Sequence, residues 1–441
     1  MMNDVNRRNF LKGTAAMAAT TTLASSYKKI LGANDRINIA MIGCGRMGRG
    51  NIDVQQRTGL THITAVCDVY QPHLDKAVNM VSGTVKSYTD FRHILDRQDV
   101  DAVVISTPDH WHALMTTLAC EAGKDVFVEK PASVTVAEGR RMADVARRTK
   151  RIVQVGTMQR SSPVFQRVVN IVQSGALGEI SMVRTWIVGN EYPDGIGNPP
   201  DESPPDNLDW DLWLGPAPKR PFNWNRFGVG DRWSTFRYFW DYAGGMMTDW
   251  GVHLLDIVLW AMGEPVPKIV NAVGGKFYLK DNRETPDTLQ VSYQFDKFVA
   301  TFSNQVINDR GIDGQGYGIE FYGTRASLFV DRGGYKVMPQ EGGRFDRQLM
   351  PEDTPMRYNS HDSGNETHAR DFINSIKTRE KPISDIEIGH RSTSICLLGN
   401  IAYRTGEQLE WDADQEKIAN SESANELLET DYRDPWKLPE A

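Results

Sequence analysis

The chain has only four cysteines in 441 residues, and none falls in a C-x-x-C pair. Cys44, Cys67, Cys120 and Cys396 therefore argue against both a disulfide framework and a zinc site. Long apolar runs are also missing. No segment reaches about 18 consecutive apolar residues, so no permanent membrane span is expected. Basic charge is in deficit, with 50 Lys+Arg against 57 Asp+Glu and a formal net charge of −7. No basic stretch is interleaved with aromatics, which argues against nucleic acid as a partner and favours a small polar ligand. No internal repeat is apparent. The remaining picture is an ordinary globular chain, 40% apolar, long enough for two or three domains.

Residues 1–33 read as an address and a linker. Asn6-Arg7-Arg8-Asn9-Phe10-Leu11-Lys12 precedes a weakly apolar Ala/Thr/Met run, a pattern that resembles a twin-arginine export signal. An exported protein is expected, with a cytoplasmic location the weaker reading. That route carries folded proteins, so a cofactor would travel already bound.

From residue 34 to 157, short apolar runs alternate with helical periods, the βαβ signature of a parallel sheet. The first run, Ile37 to Ile42, flows into Gly43-Cys44-Gly45-Arg46-Met47-Gly48. This G-x-G-x-x-G spacing suits a dinucleotide: Gly43 allows the turn, Gly45 lets backbone approach a pyrophosphate, and Gly48 lets the helix pack on the strand. The second run, His62 to Cys67, ends at Asp68. A carboxylate there can accept hydrogen bonds from an adenine ribose and would repel a 2′-phosphate, so NAD is favoured over NADP.

Residues 158–412 read differently. A helix from Pro163 to Ser174 leads into short alternating segments at 180–188, 269–279, 288–295, 298–304, 319–322 and 327–330, rich in Val, Tyr, Phe and Thr. An open antiparallel sheet is the economical interpretation. The pattern leaves one face for helices and the other for a second subunit, so a homo-oligomer is expected. Residues 190–240 break both patterns with eight prolines and many aromatics, and an irregular segment of that length is usually functional. Residues 413–441 form a polar tail, either wrapped on the surface or loose.

Three motifs carry chemistry. Ser106-Thr107-Pro108-Asp109-His110-Trp111-His112 follows the fourth strand, and Glu129-Lys130-Pro131 follows the fifth. Both lie at carboxyl ends of parallel strands, where open α/β sheets bind ligands. Lys130 could stabilise negative charge on a substrate oxygen, although its position alone also fits a solvated loop lysine. In Thr248-Asp249-Trp250-Gly251-Val252-His253, Asp249 and His253 are four residues apart and share a helical face. Such a pair can accept a proton from an alcohol, and taken alone it also fits a helix-start carboxylate and a core histidine. A metal held by Asp249, His253 and Asp256 lacks further ligands, and none is assigned.

Together, the glycine turn, Thr-Pro-Asp-His-Trp-His-Ala, Glu-Lys-Pro, Gln154-Val155-Gly156-Thr157-Met158-Gln159-Arg160 and Thr-Asp-Trp-Gly-Val-His resemble the Gfo/Idh/MocA family of glucose-fructose oxidoreductases and inositol dehydrogenases. The resemblance covers roughly residues 34 to 412. It implies an α/β chain: an N-terminal Rossmann parallel sheet plus a C-terminal α/β domain with an open, largely antiparallel sheet. It also implies that Lys130, Asp249 and His253 line a substrate pocket beside the nicotinamide. The candidate cofactor contacts are Gly43, Gly45, Arg46, Met47, Gly48, Asp68, Thr107, Pro108, His110, His112, Glu129 and Lys130. Two features depart from the family pattern: Asp109 stands where the family commonly has Asn, and the insert at 190–240 is not general. Family members that are NAD-dependent glycoside hydrolases carry a differently arranged histidine motif, which disfavours that subgroup.

Eight of the eleven tryptophans, Trp186, Trp210, Trp213, Trp224, Trp233, Trp240, Trp250 and Trp260, fall between residues 186 and 260. Aromatic faces pack on the C–H faces of sugars, and Trp250 is the preferred sugar contact, with Arg160 and Tyr192 as weaker candidates. The expected function is NAD(P)-dependent hydride transfer at a sugar, glycoside or polyol hydroxyl, with His253 taking the proton, Lys130 steadying the alkoxide and Asp249 orienting or polarising His253. Two alternatives stay open: transient oxidation without net redox, leading to elimination, epimerisation or glycoside cleavage, and a non-catalytic sugar-binding Rossmann protein.

Overall fold

A computed structural model describes residues 36–228, 234–340 and 350–440. The export motif and Trp233 lie outside the described residues.

Six strands form the first sheet: β1 (Ile37–Ile42), β2 (Thr61–Cys67), β3 (Lys86–Tyr88), β4 (Ala102–Ile105), β5 (Asp125–Val128) and β6 (Val153–Val155). All are parallel, in the order β3-β2-β1-β4-β5-β6, the doubly wound order whose chain reversal between β1 and β4 opens a ligand crevice. Their side chains divide by parity. Ile39, Met41, Val66, Val104 and Phe127 enter one core with Ile52 and Leu74 of the helices Arg46–Thr58 and Gln71–Met80. Ala40, Ile42, Val103, Val126 and Val128 enter the other, with Leu114 and Met142 of the helices His112–Glu121 and Val136–Thr149. Burial on both faces explains why β4 and β5 are unbroken apolar runs with no polar alternation.

Distant parts of the chain complete this domain. Phe372 and Ile376, on the helix Asn365–Thr378, enter the first of these cores. The C-terminal tail wraps the second. Trp436 lies edge-on to Trp111 at 4.9 Å and beside Phe91, and the Tyr432 hydroxyl donates to Glu138 at 2.6 Å.

The second sheet has ten strands: β7 (Ile180–Val188), β8 (Ile269–Gly275), β9 (Thr288–Gln294), β10 (Val299–Gln305), β11 (Tyr317–Gly323), β12 (Ala326–Asp331), β13 (Gly334–Pro339), β14 (Arg357–Asn359), β15 (Leu409–Asp412) and β16 (Lys417–Ile418). Their order is β14-β13-β12-β11-β7-β10-β9-β8-β15-β16. Only β7 and β10 pair in parallel; the other pairs are antiparallel. Alternation is visible along β10, where Ala300, Phe302 and Asn304 are buried while Val299 is exposed. The buried face packs on the helices Pro163–Gln173, Gly251–Ala261 and Ile386–Thr405. Among the described residues, no helix is long and apolar enough to cross a membrane.

The proline-rich insert builds a small core of its own from Leu208, Trp210, Trp213, Phe222, Phe227 and Tyr242. Trp210 and Trp213 stack at 4.6 Å. The insert is attached to the Rossmann domain just past β2, where Asp209 donates its N–H to the Val69 carbonyl and Gln71 donates its own to Asn207. It therefore overhangs the carboxyl end of the parallel sheet.

Candidate active site

One cavity of about 670 Å³ runs from the glycine turn after β1, along the carboxyl ends of β2, β4 and β5, to the start of the helix Gly251–Ala261. Its first part is backbone. Gly43 has φ of 86°, and a Cβ there would sit 2.6 Å from the Ser106 carbonyl oxygen. A Cβ on Gly48 would lie 1.9 Å from the Gly43 oxygen, so Gly48 serves helix-to-turn packing and does not itself line the cavity. Gly45 caps the helix and is uncrowded, with only His73 within 4 Å of a built Cβ. The open N–H groups of that helix, with Arg46 and Met47, face the cavity as a phosphate cradle requires. Asp68 is held at the end of β2 by N–H donors from Cys44 at 2.7 Å and Tyr70 at 2.9 Å. This leaves carboxylate lone pairs for a ribose.

Thr107, Pro108, His112 and Glu129 also line the cavity. His112 sits between the carbonyls of Pro131 (2.7 Å) and Thr107 (2.9 Å), tying the loops after β4 and β5 together. Burial pushes its pKa down to about 4. The Asn51 side chain donates to Glu129 at 2.9 Å and to Ser106 at 3.0 Å. Burial raises the Glu129 pKa, against the lowering effect of Asn51. His110 departs from expectation: the turn Asp109–Trp111 swings it away from the cavity, and its Nε2 meets the Trp213 carbonyl at 3.1 Å. It anchors the insert and does not reach the cofactor space.

At the far end, two domains supply one charge cluster. Lys130, after β5, donates to the Asp249 carboxylate at 2.5 Å and to its carbonyl at 2.9 Å. Arg237, from the end of the insert, reaches the same carboxylate at 3.3 Å. Burial alone would raise the Asp249 pKa, but Arg237 and Lys130 overcome it and hold the group below the usual carboxylate range. The expected role of Asp249 in orienting His253 is thus corrected, because its carboxylate hydrogen-bonds the two cations; it acts on His253 through its charge alone. The buried His253 Nδ1 has no partner. Burial first, then Arg332 and Lys130, push the His253 pKa well down, so the imidazole is neutral. Trp250 forms the adjacent wall, its ring 6.1 Å from that of His253.

Two substrate candidates are corrected. Arg160 is 2% exposed and gives its Nε to both Asp256 oxygens at 2.9 Å, with a second ion pair to Glu264. It is a core cation away from the cavity. Asp256, also bound by Ser392, is likewise committed away from Asp249 and His253. Tyr192 is 61% exposed and does not line the cavity; its turn carries it to the surface. Asn51, Arg237 and Arg332 line the cavity although nothing in the sequence pattern singled them out.

This geometry defines a class: a two-domain α/β protein with a dinucleotide cradle leading to a buried lysine, carboxylate and histidine. Family models agree in detail. Residues 37–157 match an oxidoreductase-family NAD-binding Rossmann fold. Residues 165–273 and 356–438 match the family's C-terminal alpha/beta domain, and 222–329 match a second form of that domain. The chain belongs to the Gfo/Idh/MocA family, and its first domain is that family's NAD-binding Rossmann domain. Residues 4–24 match a twin-arginine translocation signal, which points to export across a membrane.

Among curated relatives, a Glycosyl hydrolase family 109 protein of Shewanella baltica is 30% identical over 209 residues, 41% of this chain and 45% of that protein. An Alpha-N-acetylgalactosaminidase of Shewanella oneidensis is 30% identical over 206 residues, with the same coverage. The chain thus aligns with less than half the length of these relatives. Among solved structures, levoglucosan dehydrogenase with NADH and L-sorbose superposes with TM-score 0.66 at 17% identity, over 85% of this chain and 99% of that one. The WlbA dehydrogenase of Chromobactrium violaceum with NADH and UDP-GlcNAcA gives TM-score 0.65 at 19% identity, over 86% and 97%. At such identities these two speak for the fold alone.

Proposed function

We propose that this protein is an exported, NAD-dependent enzyme that acts at a hydroxyl-bearing carbon of a sugar, glycoside or polyol. The observation that carries this reading is the convergence of Lys130, Asp249, His253 and Trp250 at the end of the cavity remote from Asp68. The glycine turn, the helix start at Arg46 and Asp68 would hold NAD, which supplies a hydride acceptor when bound. Trp250 offers a face to the apolar side of a sugar ring. His253, neutral and lining the cavity, takes the hydroxyl proton. Lys130, fixed by Asp249, donates to the oxygen on which negative charge develops. Asp249 positions the lysine, and Arg237 fixes Asp249 from the other side.

Export has a further consequence. An exported compartment supplies little free nicotinamide nucleotide, so a tightly held cofactor must be restored on the protein. Either a second substrate is reduced, or the same substrate is oxidised only transiently to permit elimination, epimerisation or glycoside cleavage. The names of the Shewanella relatives favour keeping the cleavage branch.

The test is direct. Lys130→Ala and His253→Ala should each lower turnover by about 100-fold or more while nucleotide binding survives. Unchanged turnover in both would sink the assignment. Product analysis separates the branches: net redox yields a carbonyl sugar, whereas the transient route yields a rearranged or cleaved sugar at its original oxidation level.

A further inference from the structure

We propose that the substrate carries a carboxylate, as a uronic acid or its glycoside does, and that Arg332 is the residue that binds it. This specificity assignment rests on the sugar-site reading above.

Arg332 lies in the hairpin turn between β12 and β13, far in sequence from Lys130 and Asp249, yet lines the same cavity. Its guanidinium lies over the Trp250 ring, 4.8 Å from the centroid, and its Nε donates to Gln159 at 3.0 Å. Those two contacts fix its plane and leave its terminal nitrogens without a hydrogen-bond partner among the described residues. The buried arginines Arg160 and Arg283 are matched with acids: Arg160 with Asp256 and Glu264, Arg283 with Asp281 and Glu191. Among the described residues, half-buried Arg332 forms no ion pair with an acid; burial lowers its pKa, and the charge of the more distant Asp249 offsets this only in part. A desolvated cation without a counter-charge is costly to maintain, and a ligand that supplies the charge removes the cost.

The local charge balance points the same way. The ionised carboxylate that Arg332 feels, Asp249, is already held by Lys130 and Arg237. A planar guanidinium with two free terminal nitrogens matches the two oxygens of a carboxylate in one plane. Trp250 would then carry the sugar ring, with the acid on Arg332 and the reacting hydroxyl towards Lys130 and His253. Arg332 also follows burial as the largest electrostatic influence lowering the His253 pKa. A substrate carboxylate on Arg332 would offset that influence and restore basicity to His253 as the substrate arrives.

The experiment is calorimetric binding to the NAD-loaded protein. The probes are D-glucuronate, D-galacturonate and their methyl glycosides, the matching neutral hexoses and methyl hexosides, and glucose 6-phosphate. At least one uronate should bind about tenfold or more tightly than its neutral counterpart. Arg332→Gln should erase that difference, and Arg332→Lys should retain part of it. Nucleotide content and melting behaviour report whether each variant is folded. No uronate binding, no uronate preference, a preference that survives Arg332→Gln, or stronger binding of the phosphate would each overturn the proposal. A uronate preference together with unchanged turnover in Lys130→Ala and His253→Ala would instead sink the catalytic reading and leave this one standing.

Discussion

Replacing Asp109 with asparagine removes a buried acid whose proton is held unusually tightly. Asp109 is 8% exposed. Burial lifts its pKa from the ordinary 3.8 to about 7, against the lowering pull of Lys130 and Arg237 and with a smaller raising push from Asp249. The folded pKa lies above the unfolded one, so between about pH 4 and 7 the native state holds a proton that the unfolded chain has released. Stability from this group is therefore present at low pH, falls as pH rises through that window, and is flat above it. A shift of about three units corresponds to about 4 kcal/mol at most, with each unit near 1.4 kcal/mol. A side-chain amide cannot ionise, so the Asp109→Asn variant should gain on the wild type by about 2–4 kcal/mol between about pH 4.5 and 8. Urea unfolding at matched nucleotide content across that range reads the difference. A gap between variant and wild type that does not change with pH would refute the reasoning.

Two other changes test the cofactor end. Gly43→Ala forces a side chain onto a positive φ and against the Ser106 carbonyl, so the purified variant should carry at least about tenfold less nucleotide; full NAD content would disprove the turn's role. Trp213→Ala removes a cavity wall contributed by the insert. Bound NAD should then exchange about tenfold faster in a displacement assay, the equivalent of about 1.4 kcal/mol, whereas an unchanged rate would mean that the insert does not retain the cofactor.

The Rossmann half was legible because its function sits in local backbone. The Gly43 turn, the Gly48 packing contact and Asp68 belong to consecutive βα units, and their spacing is read along the chain. The central strands of the second sheet were also visible, since one buried face imposes alternation. β14 to β16 were not: they lie at the two ends of the sheet and are two to four residues long, too short for alternation to mark; β13 was missed although Tyr335 and Val337 are buried on either side of exposed Lys336. His110 and Arg160 were misread for a common reason. Each sits inside a motif that reaches the cavity, but in a short 3-10 turn that aims its side chain away from that space. His110 therefore meets Trp213 while Asp109 and His112 face the cavity, and Arg160 turns inward to Asp256.

The least legible residues, Arg237 and Arg332, set the electrostatics of the site. One comes from the irregular insert and the other from a β-hairpin, and neither carries a local signature. Lys130 belongs to the nucleotide domain, whereas its counter-ion Asp249 and the second cation Arg237 come from the other half of the chain. The lowered pKa values of Asp249 and His253 therefore depend on both halves being docked. A sequence motif can name the lysine and the histidine. The neutral state of His253 and the ionised state of Asp249 come from partners on distant stretches of the chain.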